Sequence, residues 1–224
     1  THKKQNYFIN SKILNQIFKR KKLHMFDGLT IDSREVKKGN LFLTIKGKKN
    51  DGNKFISKAI KKGAKLIVSS RSNKRFKKKL IKVSDPNIFL NKFAILKRLS
   101  CKAKIIAITG SAGKTSLKNM LKTLLQRFDN TYASPKSFNN HFGVPISLSN
   151  LNPKHKFGVF EVGMSKAGEI NRLSSMIKPD LAVITNIGEA HIENFHNMKG
   201  IAKAKSEIIN NINKNGKVIL NYDD

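Results

Sequence analysis

Apolar positions along the first hundred residues come in short runs separated by polar, Gly-bearing breaks. The runs at 29–32, 41–45, 66–69 and 80–83 are short and β-branched or leucine-rich, which predicts strands. Between them the spacing changes to helical. Residues 10–18 place Ile13, Leu14 and Ile17 three and four apart behind Asn10, which is expected to act as the N-cap. A helix is predicted over 54–62, closed by Gly63, and another from Pro86 to about Ser100. Together these elements form a small α/β module.

From residue 104 the pattern becomes bolder. The run 104–108, Lys104-Ile105-Ile106-Ala107-Ile108, is apolar after its first residue and mostly β-branched, as in a strand buried on both faces. It breaks at Gly110-Ser111-Ala112-Gly113 and resumes as a helix in which Leu117, Met120, Leu121, Leu124 and Leu125 recur at three and four residues. Further strand-like runs at 159–162, 181–185 and 218–220 alternate with helical stretches at 169–177 and 201–212. Such alternation implies right-handed crossovers and a mostly parallel sheet. The fold class is therefore α/β, with a small N-terminal domain over 1–102 and a second domain with a phosphate-binding loop over 103–224. No internal repeat is evident.

Charge adds a question to this picture. The 224 residues carry a formal net charge of +31, the mark of a polyanion partner if taken at face value. The excess is made of 38 lysines and only seven arginines, whereas a reader of nucleic acid favours the planar fork of Arg. Lys, Ile and Asn share A/T-rich codons, so the bias reads as compositional. Runs such as Lys19-Arg20-Lys21-Lys22 and Lys77-Lys78-Lys79 are then solvated faces. No apolar run nears the roughly twenty residues that cross a bilayer. The single Cys101 excludes an internal disulfide framework and a Cys-based zinc site. The expectation is a soluble, cytoplasmic, monomeric protein that neither inserts into a membrane nor binds nucleic acid specifically. The chain opens at Thr1, with neither Met nor a signal-peptide pattern, which suggests a piece of a longer protein.

The segment with the clearest chemistry is Thr109-Gly110-Ser111-Ala112-Gly113-Lys114-Thr115, set between a buried strand and a helix. Glycines there let backbone N–H groups converge on one point, and the helix N-terminus adds partial positive charge. Lys114 can meet the β- and γ-phosphates of a nucleotide, and the Thr115 hydroxyl can ligate Mg²⁺. The usual first glycine of such a loop is replaced by Ile108. ATP or GTP binding is implied by this loop, but not the use made of the phosphate.

Taken with Ser137-Phe138-Asn139-Asn140-His141-Phe142-Gly143-Val144-Pro145, Glu161-Val162-Gly163, Asn186-Ile187-Gly188-Glu189-Ala190-His191 and the stretch from Gly200 to Ile208, the loop resembles that of the Mur ligases. Upstream, Asp32-Ser33-Arg34-Glu35-Val36, Gly39-Asn40-Leu41-Phe42, Gly47, Asp51-Gly52 and Phe55 resemble the UDP-sugar-binding domain of the same family. The Asn-Asn-x-x-Gly-x-Pro and Ala-x-Ala-Lys-x-Glu-Ile stretches favour the branch that adds D-alanyl-D-alanine to UDP-N-acetylmuramoyl-tripeptide. The branch that adds a diamino acid to the dipeptide precursor is the near alternative, and a basic ATPase acting on nucleic acid the remote one.

The resemblance implies an ATP- and Mg²⁺-dependent ligase that works through an acyl phosphate, in peptidoglycan precursor synthesis. It implies that Thr115 and Glu161 hold one Mg²⁺, that His191 joins a second, and that Lys205 is carbamylated into a carboxylate-like ligand, with Lys114, Glu161, His191 and Lys205 as the catalytic set. It assigns Ser33 and Arg34, and with them Thr44, Lys46 and Asp51, to the UDP end of the substrate. Read alone, the Ser33-Arg34 pair has a plainer reading, a strand-end salt bridge made by Arg34. Asn139 and Asn140 could be turn formers or substrate contacts. Two positions depart from the family: Asn53 stands where His is usual, and Met164-Ser165 follows the Glu161 motif. The family also has a third, closing domain, so the chain is expected to end inside its central one and to be inactive alone.

Overall fold

Two parallel sheets organise the chain, one in each of two compact units, Thr1–Ser100 and Cys101–Asp224. The structure is a computed structural model that describes residues 2–19, 24–47, 50–190, 192–195 and 197–223, with side chains from residue 4.

In the first unit the strands are β1 (Leu29–Thr30), β2 (Leu41–Leu43), β3 (Leu66–Ser69) and β4 (Leu80–Lys82), parallel and in sequence order. The helices are α1 (His2–Phe18), α2 (Ile56–Lys61) and α3 (Pro86–Leu99). Phe42 and Ile67 pack with Val36, Ile56, Ala59 and Ala64 into one buried cluster. A second layer is aromatic: Phe93 lies 5.7 Å from Phe26 and 5.9 Å from Phe89, ring centre to ring centre. Helix α3 starts as its sequence dictates, with Asp85 accepting the Asn87 N–H at 2.6 Å and Pro86 in the first turn, where its missing N–H costs nothing.

Helix α1 corrects an expectation. It begins at His2, so Asn10 lies in its interior rather than at its N-cap. The Asn10 amide instead donates to the Phe26 and Asp27 carbonyls at 3.0 and 2.7 Å and accepts from Lys97 Nζ at 2.5 Å. Lys97, fully buried on α3, donates to Asn6 Oδ1 as well, also at 2.5 Å. A buried ammonium persists only where polar partners replace its hydration, and Asn6 and Asn10 of α1 supply them. The predicted helix over 54–62 is likewise shorter, a 3-10 turn Gly52–Phe55 followed by α2.

The second unit holds five parallel strands in the order β6-β7-β5-β8-β9: β5 (Lys104–Thr109), β6 (Thr131–Ala133), β7 (Phe157–Glu161), β8 (Leu181–Ile184) and β9 (Lys217–Leu220). Its helices are α4 (Lys114–Leu125), α5 (Gly143–Ser149), α6 (Glu169–Ile177) and α7 (Met198–Ser206). Leu117, Leu121 and Leu125 of α4 pack on Ile108, Val159 and Val183 of the sheet, while Met120 and Leu124 face outward. The helix expected over 201–212 is α7 followed by a 3-10 turn, Glu207–Asn211, and α7 begins earlier, where Asn197 caps it by accepting the Gly200 N–H at 3.0 Å. Strand register brings the motifs together. Ile108 pairs with Glu161 and Thr109 with Ile184, so β5, β7 and β8 deliver their C-terminal ends to the same edge.

Lys97→Met should leave two buried Asn acceptors without their donor and cost about 2–4 kcal/mol in denaturant unfolding. Lys77→Met, on an exposed residue, should change stability by less than about 0.5 kcal/mol.

Candidate functional site

The loop after β5 is shaped by two glycines and gripped from the β8 side. Gly110 has φ +145° and Gly113 φ +78°, conformations that L side chains rarely adopt. A Cβ on Gly110 would also stand 1.9 Å from Thr185 Oγ1. That hydroxyl is committed, donating to the Ala112 carbonyl at 2.6 Å. Ser111 N–H donates to the Asn186 carbonyl at 3.0 Å, Ala112 N–H to Asn186 Oδ1 at 2.8 Å, and Ser111 Oγ both donates to Gly188 O and accepts from Gly188 N–H. Lys114 opens α4 and folds back, its Nζ 2.6 Å from Gly110 O and 3.3 Å from Ser111 O. Burial pushes its pKa down, an effect partly offset by Glu161. Thr109 Oγ1 is buried and has no hydrogen-bond partner among the described residues.

Glu161 closes β7 with its carboxylate inside the protein, 1% exposed. Thr115 Oγ1 donates to Oε2 at 2.8 Å, Asn139 Nδ2 donates to Oε1 at 2.7 Å, and Lys118 Nζ lies 3.6 Å from Oε2. The Glu161 N–H reaches Ser134 Oγ at 3.3 Å. Asn139 therefore positions the carboxylate, and Asn140 turns the chain: its Oδ1 accepts the Phe142 and Gly143 N–H groups at 3.1 and 2.9 Å, at the start of α5.

A cleft of about 620 Å³ opens beside this carboxylate, lined among others by Gly110, Lys114, Asn139, Asn140, Arg172 and Lys205. Lys205 is buried, whereas Lys203 on the same helix is exposed. Burial, and then the charge of Lys114, push the Lys205 amine down to about 8. His191 lies outside the described residues.

The remaining candidates belong to the first unit. Ser33 is buried, and Arg34 is exposed and paired with Asp32 at 2.7 Å. Thr44 donates to the Val68 carbonyl at 3.3 Å, and Lys46 forms an isolated antiparallel bridge with Asp51. Asp51 Oδ1 accepts the Asn53 N–H at 3.0 Å and the Asn53 amide at 2.7 Å, and Oδ2 lies 3.2 Å from Arg71. The Asn53 hydrogen bonds, aided by the charge of Arg71, hold the Asp51 carboxyl below its ordinary range. Asn53 in turn accepts from the buried Ser69 hydroxyl at 2.6 Å, so the residue in the usual His position is fully integrated in a polar chain.

Residues 108–224 match the model of the Mur ligase middle domain, and residues 25–98 that of the Mur ligase family catalytic domain. The chain belongs to the Mur ligase family. It is 45% identical over 191 residues to the UDP-N-acetylmuramoyl-tripeptide--D-alanyl-D-alanine ligase of Rickettsia prowazekii, an alignment covering 85% of this chain and 42% of that relative. Crystal structure I of MurF from Acinetobacter baumannii superposes with a TM-score of 0.80 at 31% identity, covering 94% of this chain and 48% of the other. The MurF ligase of Thermotoga maritima in complex with ADP gives a TM-score of 0.75 at 31% identity, covering 88% and 46%. The chain thus spans less than half the length of these relatives.

In this member of the family the groups beside the cleft suit a nucleotide and Mg²⁺. Mg²⁺ is commonly held by one or two protein oxygens together with phosphate and water, and Thr115 and Glu161 present such oxygens side by side. Among the described residues no group of three or more His, Cys, Asp or Glu forms a metal cage. Sequence reasoning missed Lys118, Ser134, Thr185 and Asn186. Only Asn186 falls inside one of the family-like motifs, and nothing in the linear pattern separates Lys118 from its exposed neighbours.

Gly110→Ala should combine backbone strain with the Thr185 clash, lowering stability by about 1–3 kcal/mol. Calorimetric titration with ADP should show binding lost, whereas Gly168→Ala, also at a positive φ (+84°) but with no atom within 4 Å of the added Cβ, should keep it.

Proposed function

We propose that this chain carries the UDP-substrate unit (1–102) and much of the ATP unit (103–224) of a ligase that joins D-alanyl-D-alanine to UDP-N-acetylmuramoyl-tripeptide in peptidoglycan precursor synthesis. The observation that carries the reading is the Thr115–Glu161 hydrogen bond, made directly after the Gly110–Lys114 loop and next to a cleft that Gly110, Lys114 and the Glu161 partner Asn139 line. Relatives bearing that ligase name, at 45% identity in the Rickettsia case, support the choice of substrates.

In this reading a peptide carboxylate attacks the γ-phosphorus of ATP, ADP leaves, and the D-alanyl-D-alanine amine then displaces phosphate from the acyl carbon. The obstacle is bringing a carboxylate onto a polyphosphate, and the remedy is fixed positive charge and donors. Lys114 exchanges the Gly110 and Ser111 carbonyls for phosphate oxygens. Thr115 and Glu161 would hold Mg²⁺, which would supply neutralisation of phosphate charge when bound. His191 would serve a second Mg²⁺. Lys205, facing the cleft with Lys114, would act as a carbamate: its neutral amine adds to CO₂ with loss of a proton, turning a cation into a carboxylate-like ligand. Ser33, Arg34, Thr44, Lys46 and Asp51 are assigned to the UDP end, and Asn140 to the peptide. The reading is of a cytoplasmic, monomeric enzyme. Among the described residues no helix is long and apolar enough to cross a membrane.

Full-length protein should release phosphate from ATP only when UDP-N-acetylmuramoyl-tripeptide, D-alanyl-D-alanine and Mg²⁺ are all present. Turnover of the dipeptide precursor with a diamino acid instead would overturn the assignment. Lys205→Ala should lose roughly 10–100-fold or more in kcat, with partial recovery in added acetate or formate. Full activity without additives would remove Lys205 from the metal site.

A further inference from the structure

Lys118 is buried to 1% exposure, one helical turn after Lys114 on α4. Its ammonium stands 3.6 Å from Glu161 Oε2, the same oxygen that accepts the Thr115 hydroxyl, and both side chains of the pair are 2% exposed. It also donates a short hydrogen bond to the Lys136 carbonyl. Lys136 lies in the segment between Ser134, which accepts the Glu161 N–H, and Asn139, which donates to Glu161 Oε1. One cation therefore touches the carboxylate and the segment that orients it.

We propose that Lys118 is a positioning residue of the metal site: a resident counter-cation that compensates Glu161 when no divalent ion is bound and holds the 134–139 segment in register with α4. The physical grounds are the cost of a desolvated carboxylate and the placement of the ammonium on the oxygen that also accepts the Thr115 hydroxyl. An ion pair cut off from water is costly to break on one side only, because the partner stays buried and uncompensated. A divalent ion arriving at Thr115 and Glu161 then meets a carboxylate already shared with a cation, so Lys118 stabilises the metal-free protein and weakens metal binding at the same time. The inference rests on the metal-and-nucleotide reading of this cleft.

The test uses full-length protein and thermal melts in EDTA, in ADP, and in ADP with Mg²⁺. Lys118→Met should melt several degrees lower than wild type in EDTA, recover most of that loss with ADP and Mg²⁺, and bind Mg²⁺ about tenfold more tightly at saturating ADP. Lys118→Arg should keep the wild-type Mg²⁺ response. In a Glu161→Gln background the EDTA penalty of Lys118→Met should shrink, because the carboxylate it serves is gone. A drop of equal size in all three conditions means packing alone and overturns the proposal, as does no drop in EDTA. If Lys118→Met does not fold, a folded Glu161→Gln/Lys118→Met double variant supports the pairing and an unfolded one refutes it. Wild-type protein that binds no Mg²⁺–ADP refutes the nucleotide reading itself, and the EDTA cycle then decides the Lys118–Glu161 pairing separately.

Discussion

A carboxylate taken out of water must be surrounded by donors, and Glu161 is such a carboxylate. Thr115 and Lys118 reach it from α4, Asn139 from the segment before α5, and Ser134 fixes its backbone from the end of β6. None of these groups is near it in sequence. They meet because β5 and β7 run parallel with Ile108 opposite Glu161, which sets the carboxylate beside the loop that feeds α4. Burial and register together thus leave little freedom in where this group can point.

The loop between β5 and α4 is constrained by the opposite means, from backbone rather than charge. Gly110 approaches Thr185 so closely that no side chain fits, and Asn186 occupies the Ala112 N–H and accepts the Ser111 N–H. The strand end after β8 therefore templates the loop after β5, as the pairing of Thr109 with Ile184 requires. Lys114 rests on its own loop's carbonyls, a placement that keeps a desolvated ammonium partnered.

The large positive charge divides by burial. Among the described residues Lys97, Lys118 and Lys205 are the buried lysines. Lys97 ties α3 to α1, Lys118 serves Glu161, and Lys205 faces the cleft with Lys114. Most of the other lysines are wholly or partly solvent-exposed, in line with a compositional origin for the net charge. A lysine's importance here comes from its desolvation and not from the local density of charge.

Much of the fold was legible because it is written locally. The β-branched run of β5, the glycines after it and the leucine spacing of α4 all lie within twenty-odd residues, and Asp85-Pro86 marks the start of α3 unaided. Elements without a local signature escaped: β6 is three residues held by its pairing with β7, and α5 begins at Gly143 behind a turn made by Asn140. Asn10 read as a cap because nothing nearby in sequence reveals Lys97, 87 residues away, as its partner. The sequence by itself determined most of the strands and helices in their order, the glycine turn between β5 and α4, and the family, since short-range periodicity and linear motifs encode these. Only the tertiary structure decided which lysines are buried, that Lys118 rather than an exposed neighbour meets Glu161, and that Asn139 orients the carboxylate. Desolvation of charge depends on packing between segments distant along the chain, which no local pattern records.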